Sequence, residues 1–131
     1  MEIPDRFIVV DDDQVNNMIC EFAFRRFSAT TEVKTFLNPD EALSFIEKEY
    51  TDKTNEVTTV LFLDVNMPVS TGWEFLETFN AFPDFIKQQF TTYILTSSIE
   101  HKDVERAALN PLVKDLLSKP LSTQIIEDIL K

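Results

Sequence analysis

Val60-Leu61-Phe62-Leu63 runs directly into Asp64-Val65-Asn66-Met67-Pro68. Successive large apolar residues with no polar alternation suit a strand buried on both faces, as in a parallel sheet held between two layers of helices. The same pattern recurs along the chain. Phe7-Ile8-Val9-Val10 leads into Asp11-Asp12-Asp13, Tyr93-Ile94-Leu95 into Thr96-Ser97, and Leu116-Leu117-Ser118 into Lys119-Pro120. If these runs are parallel strands of one sheet, the polar groups that follow them emerge at one edge, and open α/β sheets bind ligands at the carboxyl ends of their strands. Carboxylates, a hydroxyl and an ammonium gathered there are the groups that handle phosphate and divalent metal.

Between the strand-like runs the apolar period changes. Val15, Met18, Ile19, Phe22, Ala23 and Phe27 recur at three- and four-residue spacing, which predicts a first helix over Asp13–Phe27 with one buried side. Thr31–Phe36, rich in β-branched residues, reads as the second strand. Asn38-Pro39-Asp40-Glu41 opens a helix, with Asn38 or Asp40 available as its cap, and leads into Ala42, Leu43, Phe45 and Ile46. The third strand is Thr58–Leu63. Gly72, the only glycine, precedes the helical stretch Trp73–Phe79, where a special backbone geometry or a close approach is expected. A further turn over Phe85–Gln89, a fourth strand at Thr91–Leu95 and a helix at Glu100–Leu109 follow. Asn110-Pro111 closes that helix, because proline restrains the residue before it. Asp115–Ser118 is the fifth strand and Thr123–Leu130 the last helix. Alternating strands and helices predict an α/β fold, a parallel sheet with helices on both faces.

The 131 residues have the size of one domain, so residues 1–131 are expected to form a single unit with no separate output domain. A formal charge of −11 and a pI near 4.4 would repel a nucleic-acid backbone or an anionic membrane surface. Cys20 is the only cysteine, which excludes an intrachain disulfide, fits a reducing compartment and predicts a packed thiol. His101 is the only histidine; with no second histidine or cysteine to complete a zinc site, it reads as a surface residue. No apolar stretch is long enough to cross a bilayer, and the N-terminus lacks a basic region followed by an apolar segment. A cytoplasmic protein is expected.

Magnesium prefers oxygen ligands and commonly keeps several waters beside one or two carboxylates. Asp11, Asp12 and Asp64 could gather around such an ion, which would offset their mutual repulsion. Asp13 reads instead as a helix cap or first-turn carboxylate, favoured near the positive end of the helix dipole. A carboxylate held beside a divalent ion can attack phosphorus to give an acyl phosphate. Asp64, alone at the end of the most apolar strand, is the candidate nucleophile; its ordinary alternative is an Asx-type turn before Met67-Pro68. Thr96 could donate its hydroxyl to one phosphoryl oxygen and Lys119 its ammonium to another. Each residue alone has an ordinary explanation, and their joint placement favours phosphate chemistry.

Val9-Val10-Asp11-Asp12, Leu63-Asp64-Val65-Asn66-Met67-Pro68 followed by Gly72, Leu95-Thr96-Ser97 and Lys119-Pro120 resemble, in order and at close to the same spacing, the blocks of two-component response-regulator receiver domains. The resemblance spans essentially the whole chain. It implies a flavodoxin-like five-stranded parallel sheet in the order 2-1-3-4-5. It further implies that Asp64 is the phosphoacceptor, taking the phosphoryl group from a phosphohistidine on a sensor histidine kinase or histidine phosphotransfer protein. Asp11, Asp12, Asp64 and the backbone carbonyl of Asn66 would hold magnesium, while Thr96 and Lys119 would contact the phosphoryl group. The implied protein is a stand-alone, chemotaxis-regulator-like receiver, monomeric or weakly dimeric, acting on a downstream protein target or in a phosphorelay.

Two positions depart from the pattern. Leu116 stands three residues before Lys119, where receivers commonly carry an aromatic residue that swings inward on activation. Asp115 occupies a place where glycine or alanine is frequent, adding charge to the surface of the helix after the fourth strand, the fifth strand and the last helix. Two other readings compete with the receiver. A degenerate receiver serving as a scaffold would not need the complete acidic, threonine and lysine set. A small magnesium-dependent phosphatase of the haloacid-dehalogenase kind would place its nucleophile in an Asp-x-Asp motif, which Asp11-Asp12-Asp13 matches only trivially, and would need room for a cap domain.

Overall fold

The computed structural model describes residues 3–68 and 71–130. Five strands, β1 (Arg6–Val10), β2 (Glu32–Phe36), β3 (Thr59–Asp64), β4 (Phe90–Thr96) and β5 (Val113–Ser118), pair in parallel in the order β2-β1-β3-β4-β5. The helices are α1 (Gln14–Phe27), α2 (Pro39–Glu49), α3 (Gly72–Asn80), the single turn α4 (Asp84–Lys87), α5 (His101–Leu109) and α6 (Thr123–Ile129). The expected flavodoxin-like topology is the one found. Asp64 and Thr96 are themselves the last residues of β3 and β4, so the polar edge begins inside the sheet's hydrogen-bonding pattern.

Residue alternation along each strand divides the core into two layers. Phe7, Val9, Phe62, Tyr93 and Leu95 meet Cys20, Ala23 and Phe24 of α1 and Ile126 of α6. Phe7 stacks on Phe24 at 4.3 Å between ring centroids and Phe24 on Phe62 at 5.2 Å, an aromatic column that fixes α1 against the sheet. On the other side Ile8, Val10, Leu61, Leu63 and Ile94 meet Ala42 and Ile46 of α2, Phe75, Leu76 and Phe79 of α3 and Ala107 of α5. Every residue of β3 is buried, which makes it the central strand and Asp64 the carboxylate at its end.

The first helix forms where its periodicity predicts, but it turns a different side inward. Val15, Met18, Ile19 and Phe22 are exposed, and the buried residues are Asn16, Asn17, Cys20, Ala23 and Phe24. Two apolar stripes run along α1, and periodicity alone does not choose between them. The choice is made at the helix N-terminus. Asp13 caps the helix, accepting from the N–H groups of Val15 (2.9 Å) and Asn16 (3.3 Å), while Asn16 and Asn17 reach back to Asp11. Those bonds set the rotation that brings Cys20 and Phe24 over the sheet. Asn38 caps α2 by accepting from Asp40 N–H at 2.8 Å, so the asparagine takes the role left open between the two residues.

Candidate functional site

At the carboxyl edge of β1 and β3, one oxygen each of Asp11, Asp12 and Asp64 lies within 4.8 Å of the others. Asp11 is fully buried and Asp64 nearly so, whereas Asp12 is exposed. Three carboxylates this close repel one another unless a cation intervenes, and an all-oxygen donor set open on one side is the set a hard divalent ion takes. The residues present therefore fit magnesium.

The Lys119 ammonium reaches into this cluster from the loop after β5, 2.6 Å from Asp11 Oδ2 and 3.7 Å from Asp64 Oδ2. Its main chain is fixed by the Lys119 N–H donating to the Thr96 carbonyl at 2.8 Å, and the Lys119–Pro120 peptide bond is cis. Although burial opposes the charged form, the hydrogen bond to Asp11 and the charges of Asp64, Asp11 and Asp13 hold the Lys119 pKa above its ordinary value. Burial above all, with the negative charge of Asp11, pushes the Asp64 carboxyl up to about 6, against the lowering influence of the Asn66 N–H and Lys119. Asp64 is thus costly to keep ionised without a further cation beside it.

Asp64 Oδ1 also accepts from the Asn66 N–H at 3.2 Å, so the Asx turn is present and orients the carboxylate. Gly72 serves a close approach. A Cβ built there would lie 2.5 Å from the Asp64 carbonyl oxygen and 3.0 Å from Val65 Cα, and no glycine has a positive φ. The lone glycine thus lets the N-terminus of α3 press against the end of β3. Thr96 is fully buried at the tip of β4, its hydroxyl donating to the Ser98 carbonyl at 3.0 Å. Thr96 and Lys119 are joined through the backbone, and the Lys119 side chain joins the acidic cluster.

Sequence reasoning did not single out Asn16 and Asn17. Asn16 Nδ2 donates to Asp11 Oδ2 at 2.7 Å and Asn17 Nδ2 to the Asp11 carbonyl at 3.0 Å. The available signal was their position: adjacent amides beginning five residues after Asp11, with Asn16 on the helical face of Cys20 and Phe24. Cys20 is buried as expected, its thiol pushed up to about 12 by burial and by Asp11, which makes it unreactive. His101 is exposed, 3.1 Å from Glu105. Among the described residues no helix is long and apolar enough to cross a membrane.

Solved structures share this architecture. A response regulator receiver protein from Dyadobacter fermentans is 28% identical with a TM-score of 0.85, the match covering 96% of this chain and 94% of that one. A two-component response regulator from Cytophaga hutchinsonii, 22% identical, has a TM-score of 0.86 over 98% and 96% of the two chains. The chemotaxis response regulator CheY4 of Vibrio cholerae, 22% identical over 98% and 97%, has a TM-score of 0.74; these last two likenesses speak for the fold alone. No curated protein matches the chain. With the acidic cluster, the bridging lysine and the sheet order in place, the family model of the response regulator receiver domain matches residues 7–131, and the chain belongs to that family.

Proposed function

We propose that this receiver takes a phosphoryl group on Asp64 from a phosphohistidine of a sensor histidine kinase or histidine phosphotransfer protein, and signals through protein contacts or onward phosphotransfer. The observation that carries the reading is Lys119 reaching both Asp11 and Asp64 beside three converging carboxylates at the end of the central strand. An Asp64 carboxylate oxygen forms the new bond to phosphorus as the phosphorus–nitrogen bond to the donor imidazole breaks; the imidazole keeps the electron pair and takes up a proton. Asp11, Asp12, Asp64 and the Asn66 carbonyl would hold magnesium. When bound, that ion supplies positive charge to the phosphoryl oxygens and to the acidic cluster.

The chain's own residues do the rest. The Asn66 N–H orients Asp64, and the contact at Gly72 fixes the Asp64 main chain. Lys119 moves its ammonium from the carboxylates to a phosphoryl oxygen, and Thr96 turns its hydroxyl from Ser98 to another. Because Lys119 N–H is bonded to the Thr96 carbonyl, the two respond together. Leu116 on β5 is half-buried and packs in the core layer of α3 and α5, where an aliphatic side chain stands in place of the aromatic common in receivers. The exposed Val15, Met18, Ile19 and Phe22 form an apolar stripe along α1, the helix that follows the acidic loop.

Incubation with magnesium and acetyl phosphate, followed by mass spectrometry, tests the assignment. One phosphate on Asp64, abolished in Asp64→Asn, is expected. Absence of labelling points to a scaffold, and repeated turnover of phosphomonoesters to a phosphatase; either outcome rejects the proposal.

A further inference from the structure

The Asp11 carboxylate has no exposed surface and accepts from three donors. The Asp13 N–H takes Oδ1 at 2.9 Å, while Asn16 Nδ2 at 2.7 Å and the Lys119 ammonium at 2.6 Å share Oδ2. These donors differ in how firmly they are held. Asp13 N–H belongs to the main chain at the start of α1. Asn16 lies in the first turn of α1, is only 5% exposed, and points its amide nitrogen at both Asp11 and, at 3.7 Å, Cys20 Sγ. The opposite amide orientation would set its oxygen against a carboxylate oxygen, so the bond fixes which way the group faces. Lys119, by contrast, sits on a flexible stem and already lies between two carboxylates.

Under the proposed reaction Lys119 turns toward the incoming phosphoryl group, and the Asp11 carboxylate, which would also hold the magnesium, loses one of the two donors to its Oδ2. We propose that Asn16 is a positioning residue for phosphoryl transfer: it keeps Asp11 oriented and hydrogen-bonded when Lys119 leaves it. The inference rests on the reading of Asp11 as part of the metal and phosphoryl site. Packing supplies the contrast with a merely structural role. Asn16 shares the core-facing side of α1 with Cys20, Ala23 and Phe24, whose side chains are apolar or weakly polar. An amide at this position contributes a donor that packing does not need.

Asn16→Leu, which keeps the side chain's heavy-atom count and branching but removes the donor and adds bulk, is compared with the wild type and with Phe24→Leu, a core variant on the same helix away from the carboxylates. Magnesium is titrated against the fluorescence of Trp73, the only tryptophan, and the rate of labelling by acetyl phosphate is measured at saturating magnesium. Loss of one hydrogen bond to a buried carboxylate predicts magnesium binding about tenfold weaker and labelling about tenfold slower in Asn16→Leu. Phe24→Leu, despite its lower melting temperature, should stay within twofold of wild type on both. A folded Asn16→Leu within twofold of wild type overturns the proposal, as does parallel loss in both variants. If Asn16→Leu fails to fold, Asn16→Ala is read the same way, and failure of both to fold makes Asn16 structural and rejects the role. Absence of saturable magnesium binding in the wild type instead rejects the underlying site reading.

Discussion

Replacing Gly72 by alanine sets two effects against each other, and the structure decides which wins. Gly72 is the first residue of α3 and has no positive φ, so the backbone would accept alanine. Helix propensity favours alanine by up to about 1 kcal/mol in a helix interior and by less in the first turn. Against this, the new Cβ would meet the Asp64 carbonyl oxygen at 2.5 Å, Val65 Cα at 3.0 Å and the Asp64 carbonyl carbon at 3.1 Å. All three are main-chain atoms, so no side chain can rotate aside, and α3 or the end of β3 must move by roughly half an ångström. Overpacking of this kind costs about 1–3 kcal/mol, leaving a net destabilisation of about 1–2 kcal/mol and a melting temperature lower by about 3–8 °C in a domain of this size. The moved atoms carry Asp64, the acceptor under the proposed reaction, and small misplacements of reacting groups are amplified in rate, so acetyl phosphate labelling should slow by about tenfold. Thermal melts followed by circular dichroism, with labelling rates at saturating magnesium, test both parts. A Gly72→Ala protein that melts at or above the wild-type temperature and labels at the wild-type rate would refute the close-approach argument.

Asp64→Asn should stabilise the protein above pH 6 in the absence of magnesium. The folded carboxyl titrates at about 6 against an ordinary value of 3.8, so folding takes up a proton between those values, and stability present below pH 4 is lost as the pH rises through 6. About 3 kcal/mol is the ceiling, and because an amide does not reproduce every contact of the protonated carboxyl a gain of about 1–2 kcal/mol is expected at pH 7.5, vanishing near pH 4; a gap that stays constant from pH 4 to 8 would contradict the assignment. Asp12→Ala removes the exposed member of the acidic cluster and should weaken magnesium binding at least about tenfold with little change in melting temperature, since an exposed carboxylate contributes little to folding. Unchanged affinity by titration would remove Asp12 from the ligand set. Phe24→Ala empties the centre of the Phe7–Phe24–Phe62 column and should cost about 3–5 kcal/mol in denaturant unfolding, whereas a loss under 1 kcal/mol would mean that α1 is held by its polar anchors alone.

The strand-end motifs were legible in the sequence because each lies within a few residues of an apolar run, and a strand followed by its own polar tip is a local pattern. Asp64 after Val60-Leu61-Phe62-Leu63 and Asp11-Asp12 after Phe7-Ile8-Val9-Val10 needed only the parallel arrangement to converge. The inward side of α1 was not legible. Val15, Met18, Ile19 and Phe22 form as good an apolar stripe as the one that is buried, and the choice depends on Asn16 and Asn17 bonding to a residue on a different element. Gly72 was visible as unusual, yet its neighbour across the gap is a main-chain oxygen that only folding brings near.

By itself, then, the sequence determined the parallel α/β fold, the order of its elements and the chemistry at its carboxyl edge, since period, capping and strand-end polarity are properties of short segments. Only the tertiary structure decided that Lys119 lies between Asp11 and Asp64, that the Lys119 N–H is bonded to the Thr96 carbonyl, and that Asn16 backs Asp11 from inside the helix. Those are relations between residues far apart along the chain or on different elements. Their distances are set by sheet register and by the rotation of α1, which packing and buried hydrogen bonds fix together.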